Sequence, residues 1–497
     1  MLPKSIFCLL PYLAVVLTGT LAQHCKVYPD DTDWPSVTLW QSLNESVSGR
    51  LAVPTALAAA CRSDSPAFSN LTCYAVNTQW TNTSWVAENP YMADYNDITC
   101  PPDPTLPCST AGYPAYIIEA TNEKDVQAGV NFAREHDIRL VIKGTGHDFP
   151  GRSSGPGSLS IWTHQIRGIE IDNDNAYAKK YGGVASVKIA AGMRWREVYA
   201  EAAKHNITVI GGAEPNVGVG GWILNGGHSP FSGAYGLGAD QVLSLEVVTA
   251  DGQYLTVNET SHTELFWALR GGGGSTYAIM VSVTVKAYPQ ASMILHTYAS
   301  ITSARTDTFW SLVAYFHTQV PRISEAGGMG YHYVLPGTFI DPSLTDSFLL
   351  AGLWMFPDKT EEYVNKTMLP LYEEVGKAAW AVDPISTQAN NTVVPNVMAY
   401  WQNNTSEDGG NSGRLGSWLV DGPGLSNLTE LKQQFETAAP PPWNLVSHVV
   451  AGPGVRDAVK NLPGGSNAVL PAWRKAYTHI GMHYSSYLPI TAQLELY

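Results

Sequence analysis

RLVIKGTGHDFPGRSSGPGSLSIWT, residues 139 to 163, is the stretch on which the fold turns. Arg139 to Lys143 alternate in character and read as a strand. Gly144, Gly146, Gly151, Gly155 and Gly157 then let the backbone turn and approach a ligand where a Cβ would clash. Backbone N–H groups presented by such a loop form a concave anion site, suited to a pyrophosphate. His147 stands among these glycines, and the loop alone also fits a surface turn carrying a solvated histidine.

The flanking sequence places that loop in an α/β unit. Tyr116 to Glu119 is strand-like, and Asn122 is an N-cap for a helix whose apolar face is Val126, Val130, Phe132 and Ala133. The strand–helix–strand order sets the Gly144 to Gly157 loop at a strand's carboxyl end, where α/β folds tend to bind ligands. Ser186 to Ala191 and Glu246 to Thr249 add strands, with a helix from Trp195 to Lys204 between them. Two more glycine-dense blocks follow, residues 209 to 252 and 265 to 289. In the latter, four consecutive glycines precede a strand from Ile279 to Tyr288. Glycine inside packed structure costs roughly 0.5 to 1 kcal/mol per site, so clusters beside strands point to close backbone approach to a bound molecule. Beyond residue 292 glycines thin out, and strand-like Ser347 to Met355 alternates with helical Glu361 to Ala378, which reads as a second domain shaping a substrate site.

The chain has 497 residues, 44% of them hydrophobic and 14% charged, with a net charge of −14. That balance excludes nucleic acid and anionic membranes, which need a basic face, and favours small-molecule partners. The opening run to Ala22 has Lys4, an apolar stretch from Ile6 to Leu17 and a small-residue cleavage site, as in a secretory signal peptide. No later run reaches the roughly 18 to 20 apolar residues of a membrane span. The sequons at Asn44, Asn70, Asn82, Asn206, Asn258, Asn365, Asn390, Asn403, Asn404 and Asn427 predict N-linked glycans and an extracellular or luminal location. Cys25, Cys61, Cys73, Cys100 and Cys108 fit disulfide staples in an oxidising compartment, with Cys61–Cys73 and Cys100–Cys108 as local pairs among the connectivities open. Neither C-x-x-C nor H-E-x-x-H occurs, and no metal site is expected.

With GTGHDFPGRSS, PNVGVGGWILNGGHS, YGLGADQVLSLEVVTADG and ELFWALRGGGGSTYAIMVSVTVKAYP all in view, the chain resembles the secreted fungal flavin oxidases of the berberine bridge enzyme-like group. These lie within the vanillyl-alcohol oxidase (VAO) superfamily, with its PCMH-type FAD domain. The implied fold class is α+β, a two-subdomain PCMH-type FAD-binding domain followed by a substrate domain of antiparallel sheet with helices. The chain divides into signal peptide 1–22, a disulfide-tied region 23–109, the FAD domain 110–292 and the substrate domain 293–497. Relatives run past Ala472 to Ala476 into a closing segment near the flavin, and the sequence ending at Tyr497 lacks it.

The resemblance also implies residue roles. FAD is held by Gly144, Thr145, Gly146, Asp148, Gly151, Arg152, Ser153, Ser154, Val217, Gly218, Gly221 and Gly227, with His147 bonded to the flavin 8α-methyl group. Relatives with a second link use a cysteine where this chain has Glu214, so a single link is expected. Val217 matches a gate residue that leaves room for O₂. Gly272, Gly273 and Ile279 are expected to make backbone contacts to the adenine or ribitol side. Asp240 is placed near the cofactor, chiefly as a loop anchor, while Arg270 fits either the phosphates or a salt bridge. Trp222 suits packing. His228 falls where many plant relatives carry an active-site tyrosine and is the first candidate for proton transfer, with Tyr331 and Tyr333 as the others. The expected reaction is hydride transfer from an alcohol, sugar or secondary metabolite to FAD and then to O₂, giving H₂O₂. A dehydrogenase of the same family and a non-catalytic glycoprotein with this fold are the alternatives. Substrate identity and oligomeric state are not legible.

Overall fold

The computed structural model describes residues 25–92, 99–302, 306–336, 347–402, 413–439 and 444–485. The leader to Ala22, the sequons at Asn403 and Asn404 and the last residues lie outside the described residues. Three sheets carry the architecture. In the first, β1 (Leu51–Ala52) runs antiparallel to β2 (Tyr116–Glu119). Strands β2 and β3 (Leu140–Lys143) lie parallel to β4 (Leu159–Trp162) on either side of it. The crossover helix Glu123–Glu135 is capped by Asn122, whose side chain accepts from the Lys124 and Asp125 amides. Gly129 lets that helix lie close on the sheet, since a Cβ there would stand 2.7 Å from the Ile161 side chain. Val126, Val130, Phe132 and Ala133 are buried against Ile118 and Ile161, as their spacing predicts.

The second sheet is antiparallel. Its path is β5 (Ile169–Asp172), β6 (Ala185–Ala190), β10 (Ala278–Pro289), β8 (Val242–Thr249) and β9 (Tyr254–Asn258), with β7 (Ile207–Val209) pairing on β10. The helix Trp195–Lys204 packs Trp195, Val198 and Tyr199 into its core. The third sheet has seven antiparallel strands, in the order β14 (Ile385–Val394), β11 (Met293–Thr302), β13 (Phe348–Pro357), β12 (Met329–Pro336), β16 (Asn444–Val449), β17 (Ala476–Ser485) and β15 (Gly413–Asp421). Alternation along these strands gives the sheet two faces. One, with Val334, Leu350, Leu445 and Val449, packs on the helices Asp307–Glu325, Glu361–Val375 and Leu428–Ala438. The other, with Met329, Tyr331 and Met355, joins the core of the second sheet.

The disulfides Cys61–Cys73 and Cys100–Cys108 form, and Cys25 is free and exposed. The segment they staple docks on the sheets. Asn216 Nδ2 donates to Thr83 Oγ1 and Ser84 Oγ donates to Asn216 Oδ1, both at 2.8 Å. No helix among the described residues is long and apolar enough to cross a membrane.

Candidate functional site

The three glycine blocks converge on one short helix, Val219–Leu224. Gly218, its N-cap, donates to Thr145 Oγ1 at 3.1 Å, which joins the 139–163 loop to the second block. Gly273 donates to the Leu224 carbonyl at 3.1 Å, and Gly274 to Asn225 Oδ1 at 3.3 Å, so the third block closes on the helix's other end.

The loop after β3 is folded to present amides. Asp148 accepts from the Arg152 amide at 2.7 Å and pairs with the Arg152 guanidinium, while Gly151 donates to the Asp148 carbonyl. Gly146 and Gly151 take positive φ, 96° and 79°, where a side chain is strained. Among the described residues, the amides of Thr145, Gly146 and Asp148 meet no acceptor, nor do those of Gly220 and Gly221 in the first turn of the helix. Thr145 and Gly146 are buried. A Cβ added at Gly144 or Gly221 would meet nothing within 4 Å. Buried amides without acceptors beside open glycine faces form a cradle for a bound anion, and a dinucleotide's pyrophosphate fits that chemistry. His147, half-buried, stands inside this loop. Ser154 donates to the Gly112 carbonyl, and Ser153 lies beside it, half-buried.

Several expected contacts are committed elsewhere. Asp240 is 1% exposed, and its carboxylate accepts from Arg474 Nη1 and Nη2 at 2.7 and 2.8 Å, from Asn467 at 2.8 Å and from the Leu237 amide at 2.9 Å. Those bonds use the carboxylate's lone pairs, so Asp240 is a clasp between distant segments. Arg270, also 1% exposed, donates to the carbonyls of Phe266, Pro463 and Ser466. The amides of Gly272 and Gly273 are taken by Ala268 and Leu224, and Ile279 lies within β10 opposite Val248. Trp222 fills the space beside Gly227 and Gly238, where a Cβ would come within 2.7 and 2.2 Å of its ring, and it donates to the His228 carbonyl. Val217, half-buried, donates to the Glu214 carbonyl, and Glu214 accepts from the Asn216 amide at 2.9 Å.

The helix carries the chain about 9 Å from Gly218 to Leu224, at 1.5 Å per residue, and Gly226, Gly227 and His228 follow it. There His228 faces the third sheet. Its ring lies 5.5 Å from His448 on β16 and 6.5 Å from His479 on β17, centroid to centroid. His448 stands directly opposite both Tyr331 on β12 and His479, with ring separations of 5.1 and 5.7 Å. Trp473 closes one side at 5.6 Å from His479. Tyr331 is 8% exposed and Tyr333, two residues on along the same face, 38%. Burial holds His228 at about 4, helped by the charge His479 would carry, and burial lowers His479 as well. A neutral imidazole is the form that accepts a proton.

Thus His228 and Tyr331 come together across the two sheets, through a residue the sequence reading did not single out. His448 and His479 sit in Ser447–Val450 and Tyr477–Tyr484, strands without glycine loops or motif spacing. Their signal is a period of two against an apolar opposite face, and it acquires meaning only once the strand register is known. No group of three or more His, Cys, Asp or Glu among the described residues is arranged to hold a metal ion.

Comparison with known proteins places this geometry. Residues 114–258 match the FAD binding domain family. The FAD-linked oxidoreductase ZEB1 of Gibberella zeae is 39% identical over 376 residues, covering 73% of this chain and 63% of its own length, so the match spans under two thirds of that relative. An FAD-linked oxidoreductase of Arthroderma benhamiae is 32% identical over 497 residues, covering 95% of this chain and 82% of its own. Among solved structures, the VAO-type flavoprotein MtVAO713 from Myceliophthora thermophila superposes with a TM-score of 0.84 at 28% identity, covering 92% of this chain and 83% of that one. Glucooligosaccharide oxidase from Acremonium strictum, whose FAD is 6-S-cysteinyl and 8α-N1-histidyl, shares the fold at a TM-score of 0.57 and 19% identity, covering 76% of this chain and 75% of its own.

Proposed function

The chain belongs to the FAD-linked oxidoreductases of the VAO family, and from that footing we propose that it is a secreted, N-glycosylated oxidase carrying FAD bonded through His147. The observation that carries this reading is the cradle of acceptor-free amides at Thr145, Gly146, Asp148, Gly220 and Gly221, set around His147 and one short helix from the His228 cluster. We divide the chain at residue 292 into a cofactor unit and a substrate unit, with residues 23–109 bracing the former.

When bound, FAD would supply a hydride acceptor for the substrate carbon and a route for the electron pair to O₂, giving H₂O₂. The protein's own residues do the rest. The cradle and the Asp148–Arg152 turn hold the pyrophosphate. Val217 lines the space that admits O₂. Tyr331, Tyr333 and Trp473 supply an aromatic wall for an alcohol, sugar or secondary-metabolite substrate, and His228 and His479 give that wall imidazoles that burial keeps neutral, the form that can accept a proton. Glu214, in place of a second linking cysteine, leaves one covalent bond, as against the two of the Acremonium enzyme.

Purified protein is expected to be yellow, with flavin fluorescence that stays with the chain after acid precipitation. His147→Ala should release its flavin into the supernatant. Free flavin from the wild type would overturn the covalent reading. Peroxide release on a panel of alcohols, oligosaccharides and phenolic metabolites tests the oxidase. Dye reduction without O₂ uptake, unchanged in Val217→Leu, would make it a dehydrogenase instead.

A further inference from the structure

We propose that His448, not His228 or a tyrosine, is the residue that takes the substrate's proton, with His228 and His479 as its flanking partners. This rests on the oxidoreductase reading for its biological meaning, although its first test does not.

Three observations converge on His448. It is the hub of the cluster: its ring neighbours Tyr331, His228 and His479 at 5.1, 5.5 and 5.7 Å, whereas His228 lies 6.5 Å from His479. It also sits on the stiffest support available. Strand β16 is hydrogen-bonded on both sides, to β12 and to β17, and Leu445 and Val449 anchor the opposite face in the helix-covered core. His228, by contrast, follows two glycines at φ 101° and 67° in a loop. Thirdly, the rings set around it are those of Tyr331, His228 and His479, with Trp473 beyond His479. An imidazole can accept the proton of a substrate hydroxyl group. A tyrosine is the poorer acceptor, because its phenol ionises near 10.

The step balances simply. The substrate O–H bond breaks and an N–H bond forms on His448. The electron pair left on oxygen becomes the second C–O bond as the carbon gives up its hydride, which the FAD of the proposed function would accept, and O₂ would leave as H₂O₂ by taking that hydride's electron pair and proton together with the imidazolium proton.

The first test uses 4-nitrophenol, whose absorbance moves to the red when its hydroxyl group donates a hydrogen bond, at a pH where the free probe is neutral. Wild-type protein should bind the probe with a red-shifted band, and His448→Phe, which removes the acceptor, should bind it without the shift. His228→Gln and His479→Gln should keep the shift. A shift that survives in His448→Phe, or its absence in the wild type, overturns the proposal.

The second test is anaerobic flavin bleaching by whichever panel compound reduces the wild type. His448→Gln should slow it at least about 100-fold, the scale of lost general-base catalysis, and should remove the acidic limb of its pH profile. Added imidazole should restore His448→Ala and leave His448→Gln slow. Bleaching at wild-type rate in His448→Gln overturns the proposal. So does loss of flavin and of cooperative unfolding in both variants, which would make His448 structural. A wild type whose flavin no panel compound bleaches overturns the oxidase reading instead, and the probe test still decides on His448.

Discussion

His317 shows what burial does to a single imidazole. It lies in the helix Asp307–Glu325, fully enclosed, with Nδ1 donating to the Val313 carbonyl at 2.7 Å, and burial holds it at about 4 against an ordinary 6.5. The folded protein therefore binds this proton less readily than the unfolded chain. Its stabilising contribution is full above pH 6.5, shrinks as pH falls and is gone below about 4. The difference amounts to about 3 kcal/mol. Thermal unfolding of His317→Gln should accordingly show a flatter dependence between pH 7 and 4.5 than the wild type, and parallel curves would refute this. His317, His332 and His448 look alike in the sequence, each a lone histidine among apolar residues. Only the face each occupies separates the two enclosed under the helices from the one that meets His228.

Elements divide into those the sequence announces and those it hides. The helix Glu123–Glu135 and strands β2, β3, β6, β10 and β13 are legible because each pairs a clean period with a cap or a glycine stop: Asn122, Gly144, the run Gly271–Gly274. Roles that depend on partners far along the chain are not legible. Asp240 within Gly238–Val242 reads chiefly as a loop anchor, but what it anchors is not legible until Arg474 is seen against it. The short helix Val219–Leu224 yields a test of the cradle. Gly221 lies in its first turn with open space where a Cβ would go, so Gly221→Ala should add about 0.5 to 1 kcal/mol of helix stability while lowering flavin content. Calorimetry of flavin-free protein and the ratio of flavin to protein absorbance read the two effects separately. Equal flavin content would mean that this face meets no cofactor. Gly192 is the contrasting case, since a Cβ there would lie 2.2 Å from the His164 carbonyl oxygen. Backbone cannot move aside cheaply, and Gly192→Ala should cost about 1 to 3 kcal/mol in denaturant titration.

At the scale of the molecule, two clasps tie the second sheet to the segment that leads into β17. Arg270 holds residues 463–466 through their carbonyls, and Asp240 holds Arg474. Asp240→Ala would strand Arg474, whose side chain is 15% exposed, and should cost about 3 to 5 kcal/mol with loss of peroxide production. A variant of wild-type stability would show the clasp to be dispensable. The clasp also orders events in time. Asp240 and Arg474 are 234 residues apart. At a synthesis rate of about 5 to 20 residues per second, the arginine leaves the ribosome about 10 to 50 s after its partner. The amide cradle is complete in the first half of the chain, but the face that meets His228 arrives only with β16 and β17. Throughout that interval the nascent chain carries a buried-to-be carboxylate with no counter-ion and an apolar sheet face with no cover. Nascent protein is therefore most exposed to chaperones just before β16 and β17 emerge, and cofactor capture before that point would occur on half a pocket.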